Sequence, residues 1–319
     1  MYSEETAQSQ VGWQQGVPVC GIVGLHFKNA RLDPLLGTLL VPMVDALTVR
    51  GPDSAGYGIY SQDVDEGCFK YSLRAPLDGF AWAELAQRLA TALDRGVEAR
   101  PKANDAVLVT TVDEVDFRAA LGREAPDVRI FGWGRTLEVY KDVGHPLEIC
   151  NHYGIPRAAG YQGIGHTRMA TESAITTEHS HPFGVGEDLA VVHNGSFSNH
   201  ATVRRDLIER GHRFDTDNDT EVGARLIADA MARGADLEVA LKTVVSTMDG
   251  FFTLLVTTRT QFAVVRDAFA CKPLVVAETS DYVAVGSEYC ALAGLPGIEQ
   301  ADVFEPMPEE VHTWTRGAA

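Results

Sequence analysis

The sequence predicts an α+β domain in which layers of sheet and helix pack against one another. Residues 22–27 form a short apolar run near the start, and further apolar runs typical of strands fill 251–286. Between them, apolar residues recur at helical spacing in three patterns within 199–248. Residues 75–158 alternate helix and strand patterns more weakly, which indicates a small α/β insertion. Strands at both ends with helices between them favour stacked layers around a shared core.

The first half of the chain opens with a strand and an amphipathic helix. Apolar residues on one face predict the helix over 33–49. Asp33 is expected to cap it, with Pro34 at the first helical position. Pro42 falls inside the pattern and predicts a kink. The Gly- and Pro-rich stretch 50–56 ends the helix and leads into a second strand.

The remaining elements follow from the same patterns. Asn199 and Asp217 are expected to cap the first two helices of the second half. The other predicted elements are a helix over 82–95, strands at 106–111 and 127–131, a short helix after Asp113, strands at 163–168 and 189–193, a turn at 194–198, a helix over about 236–248, and strands at 251–256, 261–266, 272–277 and 282–286.

Composition excludes several classes of protein. The chain has 319 residues, 45% of them apolar and 22% charged, which is typical of a globular protein. A net charge of −17 argues against nucleic-acid binding, which requires a basic face. No apolar run is long enough to span a membrane, and residues 1–19 lack the features of a signal peptide. We therefore expect a cytoplasmic protein whose five cysteines, none in a C-x-x-C pair, are reduced.

Four sets of residues at strand ends and turns could carry chemistry. Cys20 supplies a nucleophile, and the amide and backbone N–H of Asn194 and Gly195 can bind an oxyanion. Arg168 and Asp219 can hold the two charges of an amino acid. Each also has a purely structural interpretation. These are a buried thiol, a hairpin turn, a surface ion pair and a carboxylate at a helix N-terminus.

Six strings in a fixed order resemble the class II glutamine amidotransferases, a family of N-terminal-nucleophile hydrolases. They are CGIVG (20–24), RGPDSAG (50–56), GHTRMAT (165–171), HNG (193–195), DTEV (219–222) and RDAFACKPL (266–274). The resemblance covers about 20–60 and 160–290, and it implies a four-layer αββα sandwich. It divides the chain into an extension at 1–19 and an amidotransferase domain at 20–319, with an insertion at about 75–158.

The resemblance implies a role for each candidate residue. Cys20 would attack the side-chain amide of L-glutamine, with its own α-amino group as the base, to form a γ-glutamyl thioester. Asn194 and Gly195 would form the oxyanion hole. Arg168 would bind the α-carboxylate, and Asp219 would bind the α-ammonium group.

Other residues of the motifs are expected to support the site rather than contact the substrate. Arg50, Asp53 and Thr171 are assigned to structural support, and Arg266 with Asp267 to a buried pair or turn. Four histidines in the motif region lack the spacing of a helical metal site, so no metal is expected. These histidines are His166, His179, His181 and His193. Two positions depart from the family pattern, Met169 in place of an aromatic residue and Cys271 in place of an aliphatic one.

The position of Cys20 is the largest departure, because nineteen residues precede it. An α-amino group is available only if Cys20 is the first residue. Residues 1–19 would be removed as a propeptide, or translation would start at the codon of Val19, or the segment would be retained as an inhibitor. With Cys20 blocked, the chain would instead be a non-catalytic regulatory or scaffold subunit. A different N-terminal-nucleophile amidase is a third alternative, with another substrate clamp.

The fuller strings GHTRMATES (165–173) and EHSHPF (178–183) resemble stand-alone amidotransferase subunits of glutamate synthase-like and N-methylglutamate synthase enzymes. This narrower resemblance implies a hetero-oligomer in which a partner synthase subunit accepts the ammonia. FMN and iron–sulfur clusters would belong to the partner. No cofactor is expected in this chain, which lacks the cysteine pattern of a cluster and a flavin motif.

Overall fold

The computed structural model describes residues 20–169 and 175–316 of the chain. These residues form sixteen strands and seven α-helices. The strands are β1 Gly21–Phe27, β2 Ser54–Tyr60, β3 Phe69–Arg74, β4 Val97–Lys102, β5 Asp105–Thr110, β6 Arg129–Gly134, β7 Leu137–Val143, β8 Gln162–Arg168, β9 Phe183–Gly186, β10 Leu189–Phe197, β11 Gly250–Thr257, β12 Gln261–Arg266, β13 Val275–Glu278, β14 Tyr282–Gly286, β15 Asp302–Phe304 and β16 His312–Thr315. The helices are α1 Leu36–Asp45, α2 Trp82–Leu93, α3 Glu114–Glu124, α4 Pro146–His152, α5 His200–Glu209, α6 Asp219–Ala232 and α7 Leu237–Thr247.

Two antiparallel sheets form the centre of the molecule. The larger has seven strands in the order β15-β13-β14-β1-β8-β2-β7, so the strand that follows Cys20 lies in its middle. The second has five strands in the order β16-β12-β11-β10-β9. In the larger sheet, β1 pairs with β14 from the end of the chain and with β8 from its middle, whereas β10, β11 and β12 of the second sheet pair in sequence order.

Apolar side chains hold these sheets in four layers. One cluster lies between the sheets and includes Ile22, Ile164, Val192 and Leu255. Helices α1 and α4 cover the outer face of the larger sheet, and α5 to α7 cover that of the smaller one. Successive side chains of a strand point to opposite faces of its sheet. Each sheet can therefore pack one face against the other sheet and the opposite face against helices. The predicted α+β sandwich of helix, sheet, sheet and helix is confirmed.

A third sheet of four strands, in the order β4-β5-β3-β6, lies beside the sandwich. Its own apolar cluster forms against α2 and α3, with Tyr71 and Phe117 stacked at 3.8 Å between ring centroids. The separate layer spans 69–134, whereas β7 and α4 belong to the main sandwich. It therefore starts and ends earlier than the insertion expected at 75–158. None of the helices in the described parts of the chain is long and apolar enough to cross a membrane.

The first predicted helix is shorter than 33–49 because a 3₁₀ turn takes its start. The turn spans Ala30–Leu35, and the side chain of Asn29 caps it. Asp33 is therefore not the cap, and its carboxylate pairs with Arg316 instead, at 2.9 Å. The α-helix runs from Leu36 to Asp45 and contains Pro42.

Asn199 occupies the predicted N-cap position of α5, but its side chain bonds the backbone of 247–249 instead of the helix start. The prediction that Asp217 caps α6 was wrong. Asn218 caps α6 by accepting a hydrogen bond from the N–H of Thr220 at 2.8 Å. The carboxylate of Asp217 instead lies 2.5 Å from Nε2 of His179. In each case a tertiary partner competes with the local cap.

Candidate active site

Cys20 lies at the start of the central strand of the larger sheet. Its side chain is half-buried, and Sγ donates a hydrogen bond to the carbonyl of Met169 at 3.8 Å. Because β1 has a neighbour on each side, its backbone is fixed by two ladders of hydrogen bonds. The thiol is therefore held on a rigid element rather than on a loop.

Arg168 comes next to Cys20 through the register of β1 and β8. Gly21 pairs with Thr167, so one further step places Cys20 opposite Arg168. The arginine is the last residue of its strand and is largely buried. The N–H of Asp53 donates to its carbonyl at 3.1 Å, so the 50–56 turn contacts the backbone of the arginine.

Asn194 and Gly195 lie on β10, in the second sheet. The Nδ2 group of Asn194 donates to the backbone carbonyl of Cys20 at 3.0 Å and so connects the two sheets at this point. Gly195 has φ +140°, and a Cβ there would come within 1.8 Å of the carbonyl oxygen of Phe251. Only glycine fits this conformation and this close approach.

Asp219 begins α6, where the helix dipole favours a negative charge. Its Oδ2 accepts a hydrogen bond from the N–H of Phe197 at 2.8 Å. Thr220 Oγ1 lies 3.4 Å from the other oxygen, Oδ1. The carboxylate is thereby oriented by two neighbouring chain segments, β10 and its own helix.

The side chains meet around one cavity of about 320 Å³. Cys20, Arg168, Gly195 and Asp219 line it, and Asn194 contacts its rim through the carbonyl of Cys20. Residues not expected there also line the cavity, namely Met169, His179, His181, His193, Ser196, His200, Asp217, Asn218 and Thr220. The sequence patterns assigned these positions to loops, strands and caps.

Arg50 and Asp53, two of the predicted supporting residues, are not among the residues that line this cavity. Arg50 forms an ion pair with Glu288, and Asp53 acts through the backbone of Arg168. Thr171 falls outside the described residues. Arg266 and Asp267 are structural, since the arginine bonds backbone carbonyls and Asp267 accepts from three backbone N–H groups.

The electrostatic setting of Cys20 combines burial with two positive charges. Burial raises the pKa of the thiol, and the charges of Arg168 and Lys272 act in the opposite direction. Lys272 belongs to the last of the six strings, and no role was predicted for it. Its carbonyl accepts a hydrogen bond from Thr253 Oγ1 at 2.9 Å, and Thr253 pairs with Asn194 across the sheet. Because burial dominates, the thiol needs a base to ionise near pH 7.

Three buried histidines lie close together at the cavity, and two of them, His181 and His193, line it. Burial lowers the pKa of His166 to about 3 and also lowers the pKa values of His181 and His193, so all three are neutral. Thr220 Oγ1 lies 2.9 Å from both His181 Nε2 and His193 Nδ1. These imidazoles therefore act as hydrogen-bonding wall residues. In 20–169 and 175–316, no three His, Cys, Asp or Glu side chains are grouped so that they could hold a metal ion.

The arrangement suits an amino acid whose side chain ends in an amide. A guanidinium and a carboxylate on the same cavity can pair with an α-carboxylate and an α-ammonium group. The thiol and the N–H donors of β10 then lie where an amide carbon and its oxygen would be placed.

Known proteins with similar sequences are consistent with this chemistry. Residues 166–294 match the family model described as a glutamine amidotransferase domain. The chain is 48% identical over 299 residues to the glutamine amidotransferase-like protein GlxB of Rhizobium meliloti, covering 93% of this chain and 98% of the relative. It is 31% identical to a putative glutamine amidotransferase of Methanothermobacter thermautotrophicus, covering 93% and 99% of the two chains.

The fold has a solved counterpart. Glutamine phosphoribosylpyrophosphate amidotransferase from B. subtilis aligns with a TM-score of 0.59 at 20% identity, over 93% of this chain and 47% of that one. At this identity the likeness concerns the fold alone. Together with the full-length relatives, it shows that the chain belongs to the class II glutamine amidotransferases and has their N-terminal-nucleophile hydrolase fold.

Proposed function

We propose that this chain hydrolyses L-glutamine to glutamate and ammonia through a thioester on Cys20 and supplies the ammonia to a partner synthase subunit. The observation that carries the proposal is the convergence of Cys20, Arg168, Gly195 and Asp219 on one cavity. Two of these residues provide opposite charges, one provides the thiol, and one provides a backbone N–H.

Substrate binding depends on the charged pair. Arg168 binds the α-carboxylate, for which its planar group offers two parallel N–H donors. Asp219 binds the α-ammonium group and keeps its orientation through the N–H of Phe197. These contacts direct the side-chain amide of glutamine towards Cys20.

The reaction proceeds by acyl transfer. Sγ of Cys20 bonds to the amide carbon while the thiol proton moves to the α-amino group of the same residue. Asn194 and Gly195 donate hydrogen bonds to the oxygen that becomes negative. The amine then protonates the leaving nitrogen, the C–N bond breaks, and ammonia departs. Water attacks the thioester, which releases glutamate and restores the thiol.

This mechanism requires a free amine on Cys20. In the printed chain the nitrogen of Cys20 is an amide bonded to Val19, and an amide cannot accept the proton. An α-amino group has a pKa near 8 and is partly neutral at pH 7. The active form therefore begins at Cys20, whereas a chain with residues 1–19 attached is the blocked, regulatory form.

The partner is inferred from the strings at 165–173 and 178–183. They support a subunit of a glutamate synthase-like or N-methylglutamate synthase enzyme, whose partner chain carries FMN and iron–sulfur clusters. Such a partner would use the ammonia to form glutamate or N-methylglutamate. Glutamine labelled with ¹⁵N in its amide, supplied to the reconstituted enzyme with excess unlabelled ammonium, tests this. Labelled product supports transfer between subunits, and unlabelled product contradicts it.

The hydrolytic step is tested on the purified chain expressed so that Cys20 is the first residue. We expect equimolar glutamate and ammonia from glutamine, and no product from Cys20→Ala. Cys271→Ala is the matched control, since it removes an exposed thiol outside the cavity. Intact mass spectrometry identifies the first residue in each preparation. Activity that persists in Cys20→Ala, or in a chain that retains Met1, would contradict the mechanism.

A further inference from the structure

Lys141 is a buried cation that contacts the segment forming one wall of the candidate site. It lies on β7 and is only 3% exposed. Its Nζ donates hydrogen bonds to the backbone carbonyls of Glu178 at 3.2 Å and Ser180 at 2.8 Å. The rings of Phe131 and Phe183 lie on either side, each with its centroid 4.6 Å from Nζ.

The surroundings of Lys141 do not explain it as a stabilising ion pair. Across the described ranges, no carboxylate forms an ion pair with Nζ, whose partners are carbonyl groups and aromatic faces. Burial lowers the pKa of Lys141, and the charges of nearby carboxylates, led by Glu178 and Glu221, offset this only in part. Burying an ammonium group without a paired carboxylate is costly, so an apolar residue would be expected here on grounds of stability alone. Its two hydrogen bonds to backbone carbonyls indicate that Lys141 instead holds the segment that contains Glu178 and Ser180 in place.

The segment that Lys141 holds, 175–182, belongs to the wall of the glutamine cavity. His179 and His181 line that cavity, on either side of Ser180. A Cβ on Gly56 would come within 2.0 Å of the carbonyl oxygen of His181 and 2.6 Å of Cβ of Lys141. Gly56 and Lys141 pair across β2 and β7, so the segment packs against both residues at the edge of the larger sheet.

The next residue of the strand contacts the same segment. Thr177 Oγ1 donates to Asp142 Oδ1 at 3.2 Å. Asp142 in turn accepts hydrogen bonds from Arg74, which lies on β3 of the separate small sheet. Two consecutive residues of β7 thus attach 177–180 to the edge of the larger sheet, and one of them links it to the third sheet.

We infer that Lys141 is a positioning residue for glutamine binding, which holds 177–181 so that His179 and His181 complete the cavity. This inference rests on the proposed function. A lysine is suited to the role because its several N–H donors can bond the carbonyls of Glu178 and Ser180 at once, while its ammonium group lies against two aromatic rings. Methionine has a similar length and no donor.

The test compares Lys141→Met and Lys141→Arg with a matched buried lysine. Lys70 is equally buried, on β3, but is paired with Ser61 and Glu138 away from the cavity. We expect Lys141→Met to raise the KM for glutamine by about tenfold or more while kcat changes less, because the lost bonds position the wall and not the thiol. Lys141→Arg should restore part of the loss. Lys70→Met should lower the unfolding temperature and leave KM unchanged.

Several outcomes would overturn the inference. A folded Lys141→Met with the KM of the parent protein would do so, as would equal increases in KM for Lys141→Met and Lys70→Met. If Lys141→Met does not fold, Thr177→Val removes the neighbouring attachment and is expected to raise KM in the same direction; an unchanged KM there also contradicts it. Calorimetry of glutamine binding to the Cys20→Ala parent separates the two proposals. A parent that does not bind glutamine refutes the proposed function itself, whereas a defect confined to the Lys141 variants leaves that function intact.

Discussion

Asn194 donates a hydrogen bond from Nδ2 to the backbone carbonyl of Cys20, over 3.0 Å. This bond fixes the orientation of the amide, since its other end is an oxygen and could not donate. A carboxamide has two N–H groups, so one remains for the oxygen of a bound substrate. The same bond joins the two sheets where the nucleophile lies. Asn194 therefore connects the two sheets and keeps a donor for the oxyanion role proposed above.

Asn194→Ala is expected to lower kcat for glutamine hydrolysis by about 10²–10³, with a smaller change in KM. The reason is that the oxyanion is fully charged only after attack, so the amide stabilises the transition state more than the bound substrate. Steady-state kinetics at saturating glutamine measure the effect. Asn29→Ala is the control, because Asn29 bonds Asp281 on the exposed surface. An equal fall in kcat and rise in KM would contradict an oxyanion role.

Asp219→Asn should raise the KM for glutamine by about tenfold or more, since it removes the charge that pairs with the α-ammonium group but keeps the shape. Calorimetric binding to the Cys20→Ala protein provides an independent measure. Asp236→Asn is the matched control, because Asp236 caps α7 by accepting from the N–H of Val239 at 2.8 Å. It should leave KM unaltered. Loss of affinity in both variants would indicate a general effect of helix termini.

Four residues that line the cavity could be chosen from the sequence, whereas the residue that holds one of its walls could not. Cys20, Arg168, Gly195 and Asp219 stand in short strings at strand ends, and a family motif identifies such strings. Lys141 stands in a weakly patterned stretch, and its partners are backbone carbonyls far along the chain. Every residue has a backbone carbonyl, so the residue types do not show which carbonyls will accept a hydrogen bond from Lys141. This contact could therefore not be predicted from the sequence.

The fold shows the same division. Apolar periodicity located most strands and helices, because each buries a face in one of the clusters. Asp33 and Asp217 do not cap their helices, and Asn199 is at the N-cap of α5 without a side-chain bond to it, because each side chain has a distant partner. The third sheet ends before β7 because β7 pairs with β2 of the larger sheet. Pairing over such separations depends on tertiary contacts rather than local preference.

Gly195→Ala should abolish measurable hydrolysis and destabilise the protein strongly. A Cβ at this position would overlap the carbonyl oxygen of Phe251 at 1.8 Å, and φ is +140°. The backbone of β10 would have to move, together with the N–H of Gly195 that is proposed as an oxyanion donor. Gly234→Ala is the control, because φ there is also positive, at +95°, and nothing lies within 4 Å. It should cost about 1 kcal/mol from backbone strain alone. Similar unfolding temperatures for the two variants would contradict this account of Gly195.

The dependence of stability on pH should reveal the burial of Lys141. Burial lowers the pKa of its ammonium group to about 7, from an ordinary value near 10.4 in the unfolded chain. Between these values the unfolded state binds more protons, so the free energy of unfolding rises with pH by up to about 1.4 kcal/mol per unit from this residue. The neutral amine still has two N–H groups for Glu178 and Ser180.

Lys141→Met removes the titration of this residue, and the contributions of the other titrating groups cancel in the difference between the two proteins. Urea unfolding from pH 7 to 10 should therefore show the parent protein gaining stability relative to the variant, and parallel curves would mean that Lys141 titrates like an exposed lysine.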